Sequence, residues 1–353
     1  MTEEQIILHL SIGRISFLRF SEKRILFKNI DNSNTLALLS IDDIEKLVNR
    51  KFSNRVLWNG SENLKMAKIT FRYCQTLNIR ILLHSDSEYP ENLRQIADPP
   101  YLIFCRGELS LLNGKNISVV GTRKLSEEGK CAAKQFAYDA VCDGFNIVSG
   151  LARGADSFAH KGAIDAYYDY IEKDADVTNL GKTIAVLPSA IDEIFPASHK
   201  RIAEQILQSG GLILSEYEPK LSLAKWHFIG RNRIIAGLSF ATLVVEAPPG
   251  SGALITADFA LDYGRDVMFH KVAFSESAKK ISSFVENQLK NDFEKGRISK
   301  YKMGNAIEKF LDSGAPVISD YKDFCIALNE FPGKRNFIQE RELLQSDLFK
   351  EDS

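Results

Sequence analysis

FNIVSGLARGADSFAHKGA, residues 145–163, passes from a short apolar, β-branched run through a glycine-bearing loop into a stretch with helical spacing. A strand covered on both faces reads as such a run, not as strict alternation. The same grammar recurs in ISVV, KTIAVL, GLILSE, ATLVVEA and DVMFH, each flanked by helical stretches and each ending in small or polar residues. Strands and helices in alternation predict an α/β domain, a doubly wound, mostly parallel sheet with helices on both faces. Outside that region the pattern changes. Residues 1–84 read as a small helical domain, in which SIDDIEKLVNR offers Ser40 as an N-cap before an amphipathic turn. The prolines of SDSEYPENLRQIADPPYLIFCRG mark a loop, and YLIF a strand leading into the sheet domain at about residue 85. Two segments interrupt the alternation, an acidic one at 167–181 and a highly charged one at 273–303; both read as solvated insertions. Residues 325–353 read as a short tail, too short for another domain.

The whole chain narrows the chemistry. Of 353 residues, 45 are Lys or Arg and 46 Asp or Glu, so a net charge of −1 gives no global attraction for a polyanion and any such attraction must be local. Cys74, Cys105, Cys131, Cys142 and Cys325 are scattered without a CxxC pair. That spacing argues against a metal site and against a disulfide framework, and fits a reducing cytoplasm. The opening MTEEQIILHL carries acid where a signal peptide wants base, and no apolar run approaches the roughly 20 residues a membrane span needs. A cytoplasmic protein without membrane association is expected.

In an open parallel sheet, ligands bind where loops leave the carboxyl ends of the strands, and helix N-termini there offer unpaired N–H groups to anions. These loops carry Gly121 and Arg123; Ser149, Gly150, Arg153 and Gly154; Lys182; and Gly250, Ser251 and Gly252. WHFIGRNRIIAGLS, residues 226–239, adds Arg231, Asn232 and Arg233 at what reads as the mouth of a helix. Glycines alone would follow from tight turns. Basic side chains recurring at successive crevice loops cost desolvation unless something pairs with them, and point to anion binding. Neither GxxxxGK with a following Ser or Thr nor GxGxxG is present, so no nucleotide cofactor is expected. Arg231 and Arg233, two apart, would point in different directions on a helix, one toward phosphate and one bracing the loop. Trp226 and Phe228 could stack on an unpaired base, although aromatics at a helix entry are more often core staples.

Taken in order, VVGTRKLSEEG, IVSGLARGADSFAHKGA, GKTIAVLPSAIDEIFP, LILSEYEP, HFIGRNRIIAGLS, LVVEAPPGSGALITADFALDYGRDV and GNAIEKFLDSGA resemble the signature blocks of the DNA-processing protein A family (DprA, also called Smf) over about residues 85–324. The resemblance implies an extended Rossmann-like fold, binding of single-stranded DNA, homodimerisation, and assistance in loading RecA recombinase during natural transformation in competent cells. It carries a DNA-contacting pocket onto Arg123, Lys182, Asn232, Arg233, Ser251 and Gly252, with Gly150 and Arg153 lining the same crevice. The sequence also departs from the family. VMFHKV stands where a VPG-like turn is usual, the charged segment after it is long, and the winged helix that many members carry is not seen.

The competing expectation is an enzyme. Phosphoribohydrolases on related folds carry PGGxGTxxE, in which a carboxylate serves the reaction. PPGSGALIT puts Thr256 where that carboxylate belongs. His160 lies one helical turn from Asp156, a spacing that lets them pair, but no GxSxG surrounds Ser157, and a structural histidine is the expected reading. Glu246, at a strand end, is expected to pair with Arg233 in preference to holding a ribose hydroxyl. With no catalytic residues assigned, a binding protein is the preferred reading over a nucleotide-binding or phosphoribohydrolase-like enzyme.

Overall fold

Each of the six apolar runs becomes a strand in a computed structural model that describes residues 1–330. They are β3 (Asn116–Val120), β4 (Asn146–Ser149), β5 (Thr183–Val186), β6 (Leu212–Ser215), β7 (Ala241–Val244) and β8 (Asp266–His270), every residue of β3 to β7 being buried. Three more complete the sheet: β1 (Arg80–Leu83), β2 (Leu102–Gly107) and β9 (Val317–Ile318), in the order β1-β2-β6-β5-β4-β3-β7-β8-β9. From β6 to β9 all neighbours run parallel, in registers such as Ile147 opposite Thr183 and Ser118 opposite Thr242. β2 is antiparallel to both β1 and β6. The sheet is therefore mostly parallel, as the alternation predicts.

Period-two alternation sorts the side chains onto two faces. Val148, Val244 and Phe269 face one way, under the helices Lys225–Leu238 and Gly252–Asp262; Ile147, Leu243 and Met268 face the other, under Glu127–Cys142 and Ala155–Glu172. The chain winds outward from β3 through β4, β5 and β6, then returns to the far side of β3 as β7 and β8. Between β3 and β7 the connections leave in opposite directions, and a crevice opens at the carboxyl ends of the strands.

The N-terminal helices Glu3–Gly13, Phe20–Asn29, Ser33–Leu38, Ile41–Val48 and Gly60–Thr76 precede the sheet. Ser40 caps Ile41–Val48 by accepting from Asp43 N at 3.2 Å, as the sequence suggests. The expected boundary at 84/85 needs correction, because β1 already pairs with β2, Leu82 opposite Ile103. Nor do the helices keep a separate core. Leu10, Leu26 and Ile44 belong to one apolar cluster with Phe104, Ile164 and Ile213 of the sheet layers. Two other boundaries shift. Residues 167–172 of the expected first insertion are the end of the helix Ala155–Glu172, and the helix Tyr321–Glu330 buries Phe324 across the expected start of the tail. The rest of that tail, 331–353, lies outside the described residues.

Burial also sets an acid limit. It pulls down the pKa of five of the six histidines, His9, His84, His160, His227 and His270, to about 4 at His9 and about 3 at His160. Below the ordinary value of 6.5 the unfolded chain takes up protons that the folded chain refuses, so stability is present above that pH and is lost as pH falls toward the native values. His160 alone accounts for a loss of about 2 kcal/mol between pH 6.5 and 5, at roughly 1.4 kcal/mol per pH unit. Thermal melts at pH 7.5 and 5 should show it; an unchanged midpoint would mean that these imidazoles are solvated.

Candidate nucleic-acid interface

The crevice at the switch point is a cleft of about 710 Å³. Its floor and most of its walls come from residues 120–124 at the end of β3 and just after it, from one face of the helix Lys225–Leu238 and from the start of the helix Gly252–Asp262. Backbone bonds lock the loop after β3: Thr122 N donates to Glu246 O at 2.6 Å, and Ala155 N to Thr122 O at 3.2 Å. Gly121 is required by this approach, since a Cβ there would lie 2.7 Å from Ala155 Cβ. Rigid backbone thus presents Arg123 and Lys124, both exposed and in no ion pair among the described residues. The Arg123 guanidinium lies over Phe228, 5.5 Å from the ring centroid, and Phe195 meets that ring edge-on at 5.5 Å. Trp226 on the same helix is 63% exposed, so it is not the core staple that its position suggests.

Across the cleft, the helix Gly252–Asp262 begins at Ser251 without a side-chain cap. Ser251 Oγ is buried with no hydrogen-bond partner in the described residues, so a hydroxyl and the first N–H groups of a helix face the cleft together. Asn232 Nδ2 holds this helix start by donating to Gly252 O at 3.1 Å.

Both arginines of GRNR are braces. They lie within the helix Lys225–Leu238 and not at its mouth. Arg231 is buried along the cleft wall, where Nη1 donates to Val186 O at 2.7 Å and Nε to Asn232 Oδ1 at 3.2 Å. Its guanidinium lies flat against Gly150, where any Cβ would collide with it. Burial lowers its pKa to about 10 against the opposing pull of Asp156. Arg233 leaves the other side of the helix. It forks onto Glu216 at 2.7 and 2.9 Å, with Asp98 3.5 Å away. Burial works against its charge, the Glu216 carboxylate overcomes this, and the pKa is raised. Arg233→Ala should therefore cost about 2 kcal/mol of stability, less than the 3–5 of a fully buried pair because Glu216 is 25% exposed. Single-strand affinity of the folded protein should stay at the parent value; a ten-fold loss without a lower melting midpoint would return Arg233 to the cleft.

The family model described as DNA recombination-mediator protein A matches residues 80–325. The chain belongs to that family. It is 32% identical to protein Smf of Borreliella burgdorferi over 282 residues, 80% of this chain and 84% of that one. It is 40% identical to the DNA processing protein DprA of Streptococcus pneumoniae over 182 residues, which span 52% of this chain and 59% of that relative. The X-ray structure of DNA processing protein A from Streptococcus pneumoniae superposes with a TM-score of 0.63 at 26% identity, covering 92% of this chain and 98% of that one.

As a member of the DNA recombination-mediator protein A family the chain still revises its expected site. Gly121, Arg123, Arg231, Asn232, Ser251 and Gly252 line the cleft; Gly150 supports it from behind Arg231. Arg153 is exposed on the loop after β4 and does not line it. Lys182 lies elsewhere. It precedes β5, at the amino end of the strand, with Nζ 4.3 Å from the Tyr167 ring centroid. Glu246 is not the partner of Arg233; it accepts from Ser126 N at 3.1 Å and from Ser126 Oγ. His160 does not pair with Asp156. Its Nδ1 meets Thr183 Oγ1 at 2.7 Å, while Asp156 accepts from Gly150 N at 3.1 Å and Ala152 N at 3.3 Å. Three charged or aromatic side chains of the cleft, Lys124, Lys280 and Phe284, are not among the residues the sequence singles out. Lys124 adjoins Arg123 in GTRK. The other two belong to the expected solvated insertion. Among the described residues no helix is long and apolar enough to cross a membrane, and no group of three His, Cys, Asp or Glu could hold a metal ion.

Proposed function

We propose that the chain binds single-stranded DNA in this cleft as a recombination mediator. The observation that carries the reading is the pair of unpaired cations, Arg123 and Lys124, beside Phe228 and the uncapped N-terminus at Ser251. Cations and N–H groups read phosphates, whereas aromatic rings offer faces to unstacked bases, a combination that favours one strand over a duplex and carries little sequence preference. A cytoplasmic protein that works as a homodimer and hands its strand to RecA recombinase during natural transformation is the fuller form of this proposal, supported by the family to which the chain belongs. Titration with a labelled single strand, the matching duplex and mononucleotides at two salt concentrations tests it. The single strand should bind most tightly, with affinity falling steeply in salt. Equal or tighter binding of duplex would overturn the reading.

We also propose that no base-releasing chemistry takes place here. Thr256 occupies the position of the expected carboxylate, its Oγ1 3.3 Å from Gly252 O. The sole carboxylate lining the cleft among the described residues is Asp156, turned onto backbone N–H groups. Incubation with nucleoside monophosphates should release no free base; release that Arg123→Glu abolishes would favour the enzyme.

A further inference from the structure

The charged segment 273–303, which reads as a solvated insertion, lies on the cleft. Most of it is the helix Glu276–Glu294, whose Lys280, Ile281, Phe284, Val285 and Gln288 form the remaining cleft wall. Its sequence explains the placement. Ala278, Ile281, Val285 and Leu289 recur at helical spacing along one stripe, Ala278 and Leu289 being buried. Beyond the helix the chain is tied to the opposite wall: Asn305 O accepts from Gly250 N at 2.7 Å, and Asp258 of the helix Gly252–Asp262 accepts from Asn305 Nδ2 at 2.9 Å and Lys309 Nζ at 2.6 Å. Tyr301 Oη also donates to Asp258. The far end of the segment is thus anchored, Ala278 is buried near its start, and the residues between line the cleft.

The edge of that stripe carries side chains that packing does not explain. Phe284 is 64% exposed although it lines a cleft. Lys280, one turn before it, is exposed and forms no ion pair among the described residues, whereas its neighbour Lys279 pairs with Glu276 at 3.2 Å. An aromatic ring and an unpaired cation one turn apart thus face Arg123, Lys124 and Phe228 across one cleft.

We infer that the helix Glu276–Glu294 is a second nucleic-acid-binding wall, in which Phe284 stacks on a base and Lys280 contacts a phosphate of the strand that Arg123 holds. The inference rests on the single-strand reading of the cleft. It turns an open basic ledge into a two-sided grip around a cleft of about 710 Å³, within the size of small-ligand sites.

The test uses the full chain with a labelled oligothymidylate and an abasic oligomer of the same length. Phe284→Ala should weaken binding to oligothymidylate about ten-fold, the scale of one lost base–aromatic stack, and leave the salt dependence unchanged. It should leave binding to the abasic oligomer at the parent value, because no base remains to stack. Lys280→Ala should reduce the salt slope by about one unit on both probes. Both residues are exposed, so melting midpoints should match the parent. If both variants bind like the parent while Arg123→Glu has lost affinity, the helix is a bystander and the inference fails with the cleft reading intact. If the parent chain binds neither probe, both readings fail.

Discussion

Arg123→Glu is expected to lower single-strand affinity by about 100-fold at low salt, while the melting midpoint stays at the parent value. The side chain is exposed, forms no ion pair among the described residues and packs only its guanidinium over Phe228. Its removal therefore costs little stability. Binding loses more, because reversal removes one phosphate contact and sets a carboxylate against the polyanion, and like charges brought together cost several kcal/mol. The salt slope should fall by about one unit for the lost contact. Unchanged affinity would mean that the loop after β3 does not touch the strand.

Arg231→Ala is expected to act in the opposite way, costing roughly 3–5 kcal/mol because it strips a buried charge from its partners. Val186 O loses its donor at 2.7 Å, Asn232 Oδ1 loses another at 3.2 Å, and Asp156, fully enclosed, loses the nearby cation that counters its burial. A fall in melting midpoint of roughly 10 °C follows at 2–4 °C per kcal/mol. Gly150→Ala should give a fall in the same direction, since its Cβ would strike the same guanidinium. The salt slope of binding by either variant's folded fraction should match the parent. A reduced slope without a lower midpoint would show that Arg231 contacts phosphate and not the protein.

These two outcomes mark where sequence reading stops. The strands were legible because a strand covered on both faces must be apolar throughout, and each short run from ISVV to DVMFH covers all but at most one residue of the strand it forms. The glycine-bearing loops were legible for a related reason: Gly121 and Gly150 leave room that nothing larger would leave. What the sequence does not reveal is who faces whom. Arg231 and Arg233 look like paired ligands in GRNR, but their partners, Val186 O and Glu216, arrive from other strand ends. Lys182 looks like a crevice residue because it adjoins a strand, and a shift of one strand length puts it at the wrong end. The segment 273–303 looks solvated because charge dominates its composition. Its apolar stripe at positions 278, 281, 285 and 289 was there to be read, and only the fold shows what that stripe covers.

Photo-crosslinking is the most direct test of the central claim, that the strand lies in the cleft between β3 and β7. A single strand carrying a photoreactive thymidine analogue would be irradiated with the full chain and the crosslinked peptides sequenced. Crosslinks within residues 121–124, 226–232 or 280–288 are the predicted result. Crosslinks confined to the N-terminal helices, or to the surface around Lys182 at the amino end of β5, would contradict it.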